Sequence, residues 1–364
     1  MSRSAFAALM MSASVFVICW AQTAPVPKIS SGLQERTSKV TSKRGHLVLA
    51  STLKAPAELA GTFFDPLKCD QDGNLYLRLY TDTITAIHKL NPKGERVAIF
   101  EPGSATSDLK VDFGLYFSVA PDGYLYQLTF VQEMTRYVFI YKSDGSYKSM
   151  IKLQPGFPWN PTQVAPFAGG NILVSGLEYD KDPNSPMWPF TGIFSSDGTL
   201  LKEIKLEDDE EIHDLAASGD PHVVPPGHPS SNQAVSLGAM ELAADGNIYL
   251  MRRLSPAIFY AVSPGGEVVR RFIVDPGQPD YLPDSMHIAG STIATQFTRS
   301  LGGQKLFKIV DLEGHEIATY DDPKGNEKTS LGSAFICYST NPERFTYLGM
   351  TDDAILTLKI AEPH

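Results

Sequence analysis

Met240-Glu241-Leu242-Ala243-Ala244-Asp245-Gly246-Asn247-Ile248-Tyr249-Leu250 is a strand, a tight turn and a second strand. Asp-Gly supplies the positive backbone angles of a hairpin turn, and the residues alternating after it make a half-buried strand. The same strand, turn and strand recur as Leu67-Lys68-Cys69-Asp70-Gln71-Asp72-Gly73-Asn74-Leu75-Tyr76-Leu77 and as Phe117-Ser118-Val119-Ala120-Pro121-Asp122-Gly123-Tyr124-Leu125-Tyr126. A second turn follows downstream in five places: Asn91-Pro92-Lys93-Gly94, Ser143-Asp144-Gly145, Ser195-Ser196-Asp197-Gly198, Ser263-Pro264-Gly265-Gly266 and Asp311-Leu312-Glu313-Gly314. Two first turns are degenerate, Gly169-Gly170 and Ala289-Gly290, each still leading into an apolar strand.

Self-similarity at a spacing of roughly 50 residues marks a repeat architecture. Units of four short strands that cannot bury both faces alone describe the blades of a β-propeller, stacked around a central channel. The units fall near residues 62–103, 112–155, 162–206, 236–276, 283–322 and 332–362. The last offers three strands only, Ala334–Tyr338, Phe345–Met350 and Ala354–Ile360. An isolated apolar strand at residues 46–51, His46-Leu47-Val48-Leu49-Ala50-Ser51, is left over at the other end. Pairing it into the last unit closes the ring and covers an edge that would otherwise invite aggregation. The expectation is an all-β, six-bladed propeller closed by an N-terminal strand in the last blade, spanning residues 45–364.

The Asp-Gly-Asn-Leu-Tyr and Asp-Gly-Asn-Ile-Tyr strands, each followed by its second hairpin, resemble the NHL-type six-bladed propellers of the TolB-like superfamily. That resemblance covers nearly the whole chain after its N-terminal segment. It implies a fold and a binding platform, because function on such a scaffold lies in the sites placed on it. It also implies, for enzymatic members similar to gluconolactonase, a divalent metal held in the channel by residues of the innermost strands.

The N-terminal segment sets the expected compartment. Arg3 precedes an apolar run from Ala5 to Trp20 that ends in small residues around Ala21 and Ala24, the pattern of a signal peptide over residues 1–24. Residues 25–44 are rich in Ser, Thr, Lys and Pro and read as a flexible leader. No later segment reaches the roughly 20 apolar residues of a spanning helix, so no membrane span is expected after cleavage and the protein is expected to be secreted or periplasmic. The formal net charge of −10, with scattered Lys and Arg, argues against nucleic acid, which needs a concentrated positive patch. Of the 3 cysteines, Cys69 and Cys337 survive cleavage. They fall on the innermost strands of neighbouring blades, as a disulfide or as two buried thiols.

The innermost strands read Pro66–Asp70, Tyr116–Ala120, Gln163–Phe167, Ala239–Ala243, Ser285–Ile288 and Ala334–Tyr338. Glu241 is the one carboxylate well inside such a strand. Its counterparts are Lys68 and Ser118, a poor set for a hard cation, and a Lys68–Glu241 salt bridge is the simpler expectation if both point inward. His287 is a base or ligand if it faces the channel, and otherwise a hydrogen-bonded packing residue. The long connection Glu207–Ser236 carries an acidic run with His213, His222 and His228, either a metal site or a solvated lid. Trp159 and Trp188 lie beside the third unit and either form a ligand platform or fasten a loop to the ring. With no convergent catalytic set, the leading expectation is a binding or interaction module for a protein, peptide or carbohydrate. The alternative is a metal-dependent, lactonase-like hydrolase or lyase working in the channel.

Overall fold

The computed structural model describes residues 42–56, 59, 62–80, 85–102, 111–131, 135–179, 187–210, 237–299, 303–322, 331, 334–350 and 356–364. The expected signal peptide, nearly all of the leader, and His213, His222 and His228 lie outside the described residues. The first strand, β1 (Lys43–Lys54), belongs to the closing sheet described last. Sheet one is β2 (Thr62–Cys69), β3 (Leu75–Tyr80), β4 (Thr85–Leu90) and β5 (Arg96–Phe100). Sheet two is β6 (Val111–Val119), β7 (Leu125–Val131), β8 (Thr135–Tyr141) and β9 (Tyr147–Lys152). Sheet three is β10 (Trp159–Pro166), β11 (Ile172–Glu178), β12 (Trp188–Phe194) and β13 (Leu200–Glu203). Sheet four is β14 (Leu237–Leu242), β15 (Ile248–Arg252), β16 (Ala257–Val262) and β17 (Val268–Val274).

The remaining strands make one sheet of eight. It runs β18 (Tyr281–Ala289), β19 (Thr292–Arg299), β20 (Lys305–Asp311), β21 (Glu316–Asp321), β1, then β24 (Leu356–Pro363), β23 (Glu343–Met350) and β22 (Ala334–Thr340). The first strands touch in a closed cycle, β2 to β6, β10, β14, β18, β22 and back to β2. Sheets packed face to face around such a cycle are a β-propeller.

The repeated turn is held by its own side chains. Asp70 accepts hydrogen bonds from the backbone of Asp72 at 3.0 Å and Asn74 at 2.9 Å, and from the Tyr76 hydroxyl at 3.0 Å. Asp245 likewise accepts from the Asn247 backbone at 3.0 Å and the Tyr249 hydroxyl at 3.0 Å. In these two copies the Tyr hydroxyl is bound by an acid of its own turn, Asp70 just ahead of the Asp72-Gly73 pair in one and Asp245 of the Asp-Gly pair itself in the other.

Apolar clusters fill each seam. Ile87, Phe100, Leu125 and Phe139 meet between sheets one and two. Val138, Ile151, Trp159 and Phe194 meet between two and three, and Leu173, Ile193, Leu250 and Tyr260 between three and four. Met251, Phe259, Ile293 and Phe297 join sheet four to β19. Within the eight-stranded sheet, Phe307 and Ile309 of one half pack on Phe335, Phe345 and Tyr347 of the other, so the halves face one another. The circuit ends where Leu67 and Leu77 meet Ile336, Leu348 and Leu358, and there Cys69 and Cys337 are joined as a disulfide with Cα atoms 5.4 Å apart.

The second turns show the same circular order. The Gly145 turn seats on Ile99 of sheet one, the Gly266 turn on Lys202 of sheet three and the Gly314 turn on Phe272 of sheet four. The Gly94 turn approaches Lys54 of β1. Strand β1 is longer than the six residues expected from the sequence. Leu47–Lys54 pair antiparallel with β24, while Lys43–His46 pair parallel with β21. The apolar run selected residues 46–51 because Leu47 is buried, and the polar Lys43–His46 carried no such signal.

Gly198 isolates what one seam contact contributes. At φ +88 a Cβ here would lie 1.8 Å from the Lys152 carbonyl oxygen of the neighbouring sheet, whereas at Gly246, φ +82, nothing lies within 4 Å. Both pay the left-handed penalty of ~1–2 kcal/mol. Gly198→Ala is expected to lose at least ~2 kcal/mol more than Gly246→Ala in urea unfolding, in the range of overpacking penalties. Equal losses would contradict the seam contact.

Candidate functional site in the central channel

Strand register assigns one layer of the channel lining. Lys68 opposes Tyr76, Ser118 opposes Tyr126, Ala165 opposes Leu173, Glu241 opposes Tyr249 and His287 opposes Ala294, each near the start of the following strand. Side chains alternate across a strand, so these residues share a face and a height. Lys68 and Glu241, each next to last in its strand, meet across the ring, which requires β2 and β14 to run the same way along the channel.

Glu241 is the centre of the layer. Its Oε1 accepts a hydrogen bond from Lys68 Nζ at 2.7 Å, and its Oε2 accepts one from the Ile288 backbone N–H at 2.8 Å. His287 Nδ1 stands 3.5 Å from the same Oε1. The other ring nitrogen, Nε2, is 3.4 Å from the Phe335 carbonyl oxygen, and the imidazole meets the Phe335 ring edge-on at 4.7 Å. Lys68 Nζ also lies 5.3 Å from the centre of the Tyr116 ring, and the Tyr116 hydroxyl accepts from the Met240 backbone N–H at 3.2 Å. Lys68, Ser118 and His287 are buried, and Glu241 keeps 18% of its side chain exposed.

The electrostatics follow from this packing. Burial by itself raises the Glu241 pKa, but the Lys68 charge and the bonds from His287 and Lys68 outweigh it and hold the carboxyl at about 2. For Lys68, burial lowers the pKa, and the Glu241 charge, with help from Tyr116, pushes it well above its ordinary value. A carboxylate this acidic is a weak proton acceptor, and an ammonium that keeps its proton is no nucleophile. The layer is built to hold charge in place.

The resemblance to gluconolactonase-like propellers implies a divalent metal in the channel. A hard cation takes six to eight oxygen ligands, and the layer offers one carboxylate, with both oxygens already engaged and an ammonium against one of them. These residues do not fit a divalent cation. No group of three or more His, Cys, Asp or Glu residues poised for a metal exists among the described residues.

The other expected residues lie elsewhere. Trp159 opens β10, where the sequence suggested a preceding loop, and it is buried, 5.3 Å from Phe190 and stacked at 5.5 Å on Phe194. Trp188, 37% exposed, opens β12 opposite Glu178, and Tyr179 beside it is 38% exposed. Asp208 and Asp209, which read as the start of a solvated acidic lid, are tied down instead. Asp208 accepts from Arg271 Nη2 at 3.0 Å and from the Tyr260 hydroxyl, and Asp209 pairs with the buried Arg252. Tyr116 and the Ile288 N–H escaped sequence reading, since an aromatic ring and a main-chain amide carry no charge pattern.

No protein-family model matches the chain, and no curated protein matches it. Among solved structures it is similar to the calcium-binding protein regucalcin from Agrobacterium tumefaciens, at 10% identity and TM-score 0.45, over 88% of this chain and 96% of that one. It is also similar to virginiamycin B lyase from Staphylococcus aureus crystallised with quinupristin, at 12% identity and TM-score 0.42, over 87% and 100%. The putative TolB from Agrobacterium tumefaciens matches at 12% identity and TM-score 0.41, over 84% and 91%.

The Glu241 pKa ties the layer to stability. The folded pKa of about 2 lies below the ordinary carboxyl value, so the stabilisation is fully present above pH ~4.3 and is lost as pH falls toward 2. Glu241→Gln should therefore cost ~3 kcal/mol in urea unfolding at pH 7. The gap to the parent protein should narrow steadily between pH 4.5 and 2. A gap of the same size at both ends of that range would mean that the carboxylate charge is not what the layer uses.

Proposed function

We propose that this chain is an exported six-bladed propeller that acts as a binding or interaction module. The observation that carries the reading is the engagement of both Glu241 oxygens by Lys68 and Ile288, which leaves the one carboxylate of the channel layer without a chemical task. Six blades are supported by the cycle of first strands and by the core between the halves of the eight-stranded sheet, which β1 splices. Export is supported by the apolar run behind Arg3, and an oxidising compartment suits the Cys69–Cys337 pairing.

The connections support one end of the ring as the ligand end. In sheets paired in sequence, the Asp-Gly turns fall at one end of the ring and the longer links at the other. That second end carries Tyr179 and Trp188. Exposed aromatics on a rigid rim suit a peptide or a carbohydrate, since they bury area at small entropic cost. A channel hydrolase or lyase of the lactonase type draws on the approach of His287 to Glu241, and the Lys68 ammonium on the same oxygen weighs against it.

Glycan and peptide arrays probed with the mature protein, followed by calorimetry on any positive, test the reading. Trp188→Ala and Tyr179→Ala are expected to weaken such binding about tenfold or more, while Glu241→Gln leaves it unchanged. Binding lost in a folded Glu241→Gln protein but kept in the aromatic variants would move the site into the channel. Turnover of a lactone panel that Glu241→Gln abolishes would replace the binding reading by the enzymatic one.

A further inference from the structure

The misfit between the channel layer and a divalent cation has a positive counterpart. A positive charge does sit in the layer, and it is part of the chain. We propose that Lys68 is the channel's resident cation, an ammonium held by Glu241 and Tyr116 that joins opposite sides of the ring and leaves no vacancy for a metal ion.

Three features converge on this role. The ammonium is one strong ion-pair bond, 2.7 Å, from a carboxylate carried by the sheet on the far side of the channel. The π face of Tyr116, from a third sheet, covers it at 5.3 Å, and a ring face attracts a cation as a lone pair does. The remaining carboxylate oxygen is used by the Ile288 amide, so the first strands of sheets one, two and four and of β18 share one charge centre. His287 extends it to Phe335 on β22.

The backbone fixes where the ammonium goes. Alternation along β2 sends Cys69 to the seam, where it is bonded to Cys337, and turns its neighbour Lys68 to the opposite face, toward the channel. The charges of Lys68 and Glu241 cancel. A divalent ion entering the layer would meet an ammonium at contact distance and no spare carboxylate oxygen. Buried pairs of this kind contribute little against an apolar pair of the same size, yet removing one partner is costly. A keystone role therefore predicts a strongly non-additive pair of mutations.

The experiment uses the full mature protein and thermal melting. Any shift in Tm caused by EDTA, Ca²⁺, Mn²⁺ or Zn²⁺ should be the same in the parent protein as in the Lys68→Met, Glu241→Met double variant, since none of it arises in the channel layer. Lys68→Met should lower Tm by ~10 °C, and Lys68→Met combined with Glu241→Met should recover most of that loss. Lys68→Ala should regain part of its stability when ethylammonium chloride is added, with sodium chloride as the control. Saturable stabilisation of the parent by a divalent ion that the double variant no longer shows would overturn the proposal, as would Lys68→Met melting with the parent or a double variant whose loss is the sum of the singles. Should Lys68→Met alone fail to fold, a folded double variant carries the same conclusion, and a double variant that also fails overturns it. None of these readouts involves a ligand, so their failure and the failure of the binding reading are told apart.

Discussion

Closure is the constraint on which everything else in this molecule depends. Each sheet buries its faces only against neighbours, so a sheet without a neighbour on one side would expose a row of apolar side chains such as Leu67 and Leu77. The chain meets this demand with residues distant in sequence. β1 completes the sheet of β22, β23 and β24, and the disulfide binds Cys69 to a partner 268 residues away. The closing seam thus has the same apolar filling as the others, with a covalent bond added. The first residues of β1 do one thing more, pairing parallel with β21 and fastening the two halves of the eight-stranded sheet together.

Closure also dictates what the channel becomes. Bringing six first strands together crowds their inward side chains into layers, and any charge in such a layer is costly unless it is paired. Lys68 and Glu241 satisfy that condition across the ring, and Ser118, Ala165 and His287 share the layer with them. Trp188 and Tyr179, by contrast, are exposed.

Much of the fold was legible because turn chemistry repeats. The Gly of each clear copy takes a positive φ, and an acid within the same segment binds the Tyr in two of them, Asp70 holding Tyr76 and Asp245 holding Tyr249. The polar half of β1 was not legible, since parallel pairing of Lys43–His46 with β21 leaves no apolar signature. In the channel, the pairing of Lys68 with Glu241 was foreseen as the consequence of both pointing inward, whereas Tyr116 and the Ile288 amide were not. Asp208 and Asp209 show the opposite failure. Their acidic run suggested solvent exposure, but their partners Arg271 and Arg252 lie a sheet away and more than 40 positions along the chain.

Native-state hydrogen exchange followed by mass spectrometry tests closure most directly, because it reads each strand in the intact protein. If β1 is a structural strand of the ring, the amides of Leu47–Lys54 open only with global unfolding and are as protected as those of β24 and β2. Exchange of that segment about a hundredfold or more faster than β24, under conditions where the rest of the ring stays closed, would contradict closure by β1.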